Sequence, residues 1–232
     1  MIKERRIAHQ LEVINFGDHE KIMRMIKNEF LFDKAQLALI ERNNTEEIQA
    51  FISTADFCKD AEIPFINRAI TEVTTKEIML YISKYPFSDE AELFFIKRGN
   101  KDEIMCYISK RCLCDEEEVT LINRGEKDEI MCYILNHELS EEAELALIER
   151  GDKDEIICYI SKWYFCEKTE LALIKRGEKD EIMSYISKYS LWDDAEVALI
   201  EKGDEDEIER YTLEYELCKK AKEALRKKQS SE

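Results

Sequence analysis

Apolar residues recur along this chain at helical spacing, and the spacing itself recurs. In the stretch from Arg150 to Lys162, Ile156, Tyr159, Ile160 and then Trp163 stand at i, i+3, i+4 and i+7, one face of an α-helix. Near copies of that stretch begin at Arg98, Arg124 and Arg176, and a looser one at Lys202, with a step of 26 residues. Let column 1 be the residue that opens each copy and column 26 the residue before the next. Repeats then start at Phe16, Arg42, Arg68, Arg98, Arg124, Arg150, Arg176 and Lys202, each of 26 residues except the one from Arg68, which has 30.

Two helices per repeat follow. Columns 7, 10, 11 and 14 form the apolar face of the first, and column 8, usually Met (Met23, Met79, Met105, Met131, Met183), widens it. Columns 20, 22, 24 and 25 give Ala143, Leu145, Leu147 and Ile148 in a Glu/Ala/Leu-rich segment of high helix propensity. The link between them, such as Leu139-Ser140-Glu141, is too short for a strand. All six glycines fall in column 2, where a left-handed residue would end one helix and turn the chain into the next. Asn43 takes that place once, and Ala69 takes it in the repeat with four extra residues, Ile70–Val73, so a longer turn is expected there. Asp152 or Asp154 is placed to cap the helix that follows the turn.

These elements predict an all-α fold, an α-solenoid of about eight helix-turn-helix repeats wound into a right-handed superhelix. One domain spans 1–232: a half repeat over 1–15, seven repeats over 16–201, a capping repeat over 202–227 and a polar tail over 228–232. The capping reading rests on Glu209, Thr212, Glu223 and Arg226, polar residues in columns 8, 11, 22 and 25. The segment Ala143-Glu144-Leu145-Ala146-Leu147-Ile148-Glu149-Arg150-Gly151-Asp152-Lys153-Asp154-Glu155-Ile156 resembles the paired helices of an ankyrin repeat without its hairpin. It also resembles the short units of leucine-rich-repeat-variant and HEAT-type solenoids. The ankyrin Thr-Pro-Leu-His signature is missing. The resemblance implies an α-solenoid and a binding role, and no residue-level function.

Composition narrows the partner. Formal charge is 35 − 52 = −17 and 44% of residues are apolar, so the chain can build a core while its field repels nucleic acid and acidic membranes and favours basic partners or simple solubility. No apolar run approaches the roughly 20 residues of a membrane span, and Met1-Ile2-Lys3-Glu4-Arg5-Arg6 lacks the apolar core of a signal peptide. Eight cysteines without an export signal read as reduced thiols in the cytoplasm.

Column by column, the candidate chemistry is sparse. Column 10 is a tyrosine row (Tyr81, Tyr107, Tyr133, Tyr159, Tyr185, Tyr211, preceded by Met25 and Phe51), expected in the core with each hydroxyl partnered. Column 14 changes character: Glu29, Ala55, Tyr85, Arg111, His137, Trp163, Tyr189, Tyr215. With Tyr164 and Trp192 nearby, it offers an aromatic edge for a partner, against packing of successive helix ends. The cysteines sort into columns 9, 15 and 17 with no Cys-x-x-Cys, which favours small packing residues over a metal site. Arg and Lys in columns 1 and 4 are flanked by acids and read as locally paired. Acidic columns 5, 6, 18, 19 and 21 read as solvated faces or, alternatively, as an imitation of nucleic-acid phosphates that would block a DNA- or RNA-binding protein. His9, His19 and His137 share no column, and no phosphate loop or distinct carboxylate pair appears. The expectation is a non-enzymatic protein-interaction scaffold without cofactor or metal, using Arg111, His137, Trp163, Tyr164, Tyr189, Trp192 and Tyr215.

Overall fold

In the computed structural model, residues 2–72 and 75–230 are described, the side chains of 69–72 excepted. They form helices and no strands, in two compact units, Met1–Arg111 and Cys112–Glu232. The first unit holds α1 (Ile2–Phe16), α2 (His19–Asn28), α3 (Asp33–Arg42), α4 (Thr45–Thr54), α5 (Lys59–Glu72), α6 (Thr75–Ile82), α7 (Asp89–Arg98) and α8 (Lys101–Ile108). The second holds α9 (Asp115–Arg124), α10 (Lys127–Ile134), α11 (Glu141–Arg150), α12 (Lys153–Lys162), α13 (Glu167–Arg176), α14 (Lys179–Ile186), α15 (Asp193–Lys202), α16 (Glu205–Glu214) and α17 (Lys219–Gln229). Within each unit, odd-numbered helices pack on odd-numbered ones and even on even, giving the two-layer succession of an α-solenoid.

Each even helix buries the face its spacing predicts, for instance Ile156, Tyr159 and Ile160 on α12. The odd helices differ from expectation. On α11 the buried residues are Ala143, Glu144, Leu147 and Ile148, columns 20, 21, 24 and 25. Leu145 in column 22 is only half-buried. Columns 20, 21, 24 and 25 share one helical stripe, and column 22 lies about 100° beyond column 21, turned away from the neighbouring layer. A glutamate has taken the core position that an apolar residue was expected to fill.

The turns use glycine for two different reasons. Gly125, Gly151 and Gly177 have φ of +83°, +74° and +78°, and Asn43 has +62°, the left-handed conformation expected of the column. Gly99 and Gly203 are instead at φ −59° and −63°, where any residue is allowed. A Cβ at Gly203 would lie 2.5 Å from the Leu199 carbonyl oxygen, and one at Gly99 would lie 2.9 Å from that of Phe95, so what matters there is space. Asp152 provides the expected cap, accepting from the backbone N–H groups of Asp154 and Glu155.

The four-residue insertion does not make a longer turn at Ile70–Val73. It continues α5, which has 14 residues where α7, α9 and α11 have 10, so Ile70, Thr71 and Glu72 are helical; Val73 lies outside the described residues. Four residues add about one full turn to the helix. Ala69, now inside a helix, has no need of a left-handed backbone.

Gly177 has open space where its Cβ would be, so its only demand is conformational. Gly177→Ala should cost about 1–2 kcal/mol, and Gly177→Asn much less, because Asn43 already serves in that column. Gly203→Asn should be no better than Gly203→Ala. Urea unfolding of the four variants checks this; an asparagine tolerated equally at both sites would contradict the distinction.

Candidate binding surface

Two sets of buried carboxylates dominate the interior and set which residues are left for the surface. The first is column 21. Glu118, Glu144, Glu170 and Glu196 in the second unit, and Glu62 and Glu92 in the first, lie in the core. Each accepts a hydrogen bond from the tyrosine of the following repeat: Tyr133 to Glu118 at 2.8 Å, Tyr159 to Glu144 at 2.8 Å, Tyr185 to Glu170 at 2.5 Å, Tyr211 to Glu196 at 2.9 Å, Tyr107 to Glu92 at 2.6 Å and Tyr81 to Glu62 at 3.1 Å. The second carboxylate oxygen accepts a backbone N–H from the next interhelical link, as Cys166 gives to Glu144 at 2.9 Å and Trp192 to Glu170 at 2.8 Å. The tyrosine oxygen in turn accepts a backbone N–H, Leu139 on Tyr159 and Phe165 on Tyr185, each at 3.2 Å.

Where the following repeat lacks a column-10 phenol, column 21 is an amide. Gln36 precedes Phe51 and Gln10 precedes Met25. Gln36 still accepts the backbone N–H, from Cys58 at 2.7 Å, and its amide donates to the Leu31 carbonyl at 3.0 Å. Carboxylate and phenol occur together because a buried charge needs the donor. An amide meets the same position without one.

Column 6 is the second set. Glu47, Glu77, Glu103, Glu129, Glu155, Glu181 and Glu207 are all buried. Column-1 arginines reach them: Arg150 Nε to Glu155 at 2.8 Å, Arg42 Nε to Glu47 at 3.0 Å, Arg124 Nε to Glu129 at 3.0 Å and Arg176 Nε to Glu181 at 3.1 Å, with Arg68 on Glu77. The same guanidinium groups donate to carbonyls at the preceding turn, Arg150 to Gly125 and Arg176 to Gly151, both at 2.8 Å. Lys228, in column 1 of the register, likewise donates to Ile200 at 3.0 Å and Gly203 at 2.9 Å, a structural role for the first residue of the polar tail. Column-4 lysines pair with acids one repeat on, Lys127 with Asp154 and Lys179 with Asp206, both at 2.6 Å, and Lys153 with Asp180. These arginines are therefore paired with a flanking acid, as expected, whereas the lysines pair across to the next repeat. The acidic rows are not all solvated faces: columns 6 and 21 are withdrawn into the core, column 6 onto the arginine of its own repeat and column 21 onto donors of the following one.

Column 14 also works between repeats. Trp163 is half-buried and its Nε1 donates to the Ile134 carbonyl at 2.8 Å; the Tyr189 hydroxyl donates to that of Ile160 at 3.3 Å. Both carbonyls belong to the last turn of an even helix, which has no intrahelical donor. His137 stacks on Tyr133 with centroids 4.7 Å apart, and Tyr215 lies 5.0 Å from Tyr211. Arg111, in the first unit, is half-buried. Changing chemistry in this column is compatible with packing because a ring or any donor serves. Tyr164 and Trp192 differ from the rest, at 59% and 56% exposure, on the links before α13 and α15. Phe30 is similarly bare, at 72%, in the first unit. Six cysteines are half-buried packing residues, whereas Cys112 and Cys114 are exposed; all eight are free thiols. Among the described residues, no helix is long and apolar enough to cross a membrane.

Along α9 and α11, a groove of about 450 Å³ is lined by Val119, Leu145 and Ala146, with Asp115, Glu116, Asn123, Glu142 and Glu149 around them. It was not legible in the sequence, because Leu145 was assigned to the core.

Burial raises the Glu170 carboxyl to about 7 despite the hydrogen bonds from Trp192 and Tyr185 that oppose the shift, and raises Glu144, Glu155, Glu181 and Glu207 in the same direction. Such a group holds its proton more tightly folded than unfolded. Its contribution is complete below the unfolded value near 4.5 and is lost as pH rises toward 7. Asp18, Asp152, Asp180, Asp204 and Glu216 are shifted down and act only at lower pH. Unfolding free energy should therefore fall between pH 5 and 8, with Glu170 alone contributing on the order of 2 kcal/mol. Urea midpoints that rise over that range would refute it. A double-mutant cycle tests the pairing rule. Tyr185→Phe should cost about 2–3 kcal/mol by leaving the carboxylate and the Phe165 N–H short of partners. Adding Glu170→Gln, which recreates the Gln36/Phe51 pair, should recover about half of it; purely additive losses would break the rule.

Comparison of the chain with protein-family models, with curated proteins and with solved structures gives no match.

Proposed function

We propose that the protein is a non-enzymatic protein-interaction array, and that a partner docks on the link edge of the second unit where Tyr164 and Trp192 stand out. One observation carries this reading. Almost every other large ring in residues 112–230 is buried or packed on a neighbour, while these two present more than half of their surface on successive links. Tyrosine and tryptophan supply large contact area at low entropic cost and are the commonest anchors of protein interfaces. Of the earlier candidates, Trp163 and Tyr189 then serve as supports, since their hydrogen bonds fix the links from which the two anchors project, while Arg111, His137 and Tyr215 lie on other links. Kinship with hairpin-less ankyrin or HEAT-type repeats is the finer form of the same reading, as is a cytoplasmic home for the free thiols.

The acidic-decoy alternative retains columns 5, 18 and 19, with Asp154 and Glu142 exposed and Glu141 half-buried. It loses columns 6 and 21 to the core, which leaves fewer charges at regular phosphate-like spacing.

Affinity capture from a lysate of the source cells, quantified by mass spectrometry, tests the edge. Proteins enriched by the wild-type chain should drop at least about tenfold with Tyr164→Ala/Trp192→Ala, at a melting temperature within about 2 °C, since exposed positions cost little to change. Undiminished capture by the double variant would remove the edge as the binding surface.

A further inference from the structure

We infer that the groove along α9 and α11 receives a basic amphipathic helix of a partner protein. This rests on the reading of the chain as a binding array and gives one partner element its chemistry. The floor comes from columns 22 and 23. The core uses columns 20, 21, 24 and 25 of α9 and α11, so Val119, Leu145 and Ala146 are apolar residues that the interior does not need. They remain half-buried along the groove of about 450 Å³. Helices α9 and α11 have 10 residues each, about 15 Å, which offers a ridge of three turns to a single docked helix.

The rim decides the occupant. Columns 19 and 26 flank the floor, and on α9 and α11 they are Glu116, Asn123, Glu142 and Glu149, with Asp115 beside them. None of these four carboxylates forms an ion pair within 4.0 Å among the described residues. One repeat further on, the same columns of α13 are Lys168 and Lys175, and Lys168 pairs with Glu141. Among the described residues, the groove between α9 and α11 is itself lined by no lysine or arginine, and Lys168 acts on Glu142 only from the α13 side. An aliphatic stripe bordered by lysine or arginine matches floor and rim together, and the basic residues' methylene stems can lie over Leu145 and Val119 while their charged ends meet the carboxylates. The chain already pairs a lysine-rich helix with an acidic one, where Lys220 of α17 meets Asp194 of α15 at 3.5 Å.

The test uses the full chain and a labelled peptide of about 18 residues with leucines on one helical face and lysines beside them. Fluorescence anisotropy should show binding at about 50 mM salt that weakens at least tenfold by about 500 mM. Glu116→Gln/Glu142→Gln/Glu149→Gln should weaken it at least tenfold. Glu138→Gln/Glu205→Gln/Glu209→Gln, the same charge change at exposed positions elsewhere, should leave it within about twofold. Leu145→Ser/Ala146→Ser should also weaken it, with folding verified by circular dichroism. Tyr164→Ala/Trp192→Ala should not, so loss of the edge and loss of the groove are separable. The proposal is overturned if the peptide does not bind, if both glutamine sets act alike, or if a leucine-free lysine peptide binds as tightly. It is equally overturned if sedimentation reveals a dimer that the groove variants dissolve, because the occupant is then a second copy of the chain.

Discussion

A carboxylate buried without a partner is among the costliest things a protein interior can contain, and this chain places two in nearly every repeat. The first needs donors from the next repeat, and the second is paired by an arginine of its own repeat that is itself anchored on the preceding one. The column-21 glutamate is completed by a phenol and a backbone N–H that belong to the following repeat. The column-1 arginine that neutralises the column-6 glutamate also holds the turn of the preceding repeat through its carbonyl. Each repeat is therefore an unfinished hydrogen-bonding object until its neighbour is in place. The apolar face brings repeats together without direction. The carboxylates fix their register, since a slip would strand charge in the core.

That constraint explains why so much of a highly charged sequence is unavailable to a ligand. Columns 1, 4, 6, 10 and 21 are consumed in holding repeat to repeat, and most of column 14 caps helix ends or stacks on the tyrosine beside it. Surface identity is left to positions the repeat contact does not use. There the copies diverge: Tyr164 where other repeats have Cys112 or Glu138, Trp192 where they have Cys114, Ser140 or Cys166, and glutamate at 116 and 142 where α13 has Lys168. The two proposed surfaces lie in these free columns for that reason. A periodic scaffold acquires an address only where its periodicity is not enforced by burial.

The sequence by itself determined the all-α class, the period, the helix pairs and the buried tyrosines, because hydrophobic spacing and isolated glycines report local geometry directly. Pairing of the column-1 arginines was also legible, since a column-6 glutamate flanks them, whereas the column-4 lysines find their acids one repeat on. The tertiary structure alone decided where the carboxylates go. Glu144 and Glu142 are two residues apart in one helix and look alike in the sequence, yet one is sealed in the core and the other faces water. What separates them is a donor on another repeat, Tyr159 and the Cys166 N–H, and a donor distant in the chain leaves no mark on local pattern. The same displacement moved Leu145 out of the core and onto the groove. Likewise, glycine marked every turn it occupies, but only the tertiary structure separated the backbone that needs φ > 0 at Gly151 from the one that needs room beside Leu199 at Gly203, because conformation and contact impose the same residue.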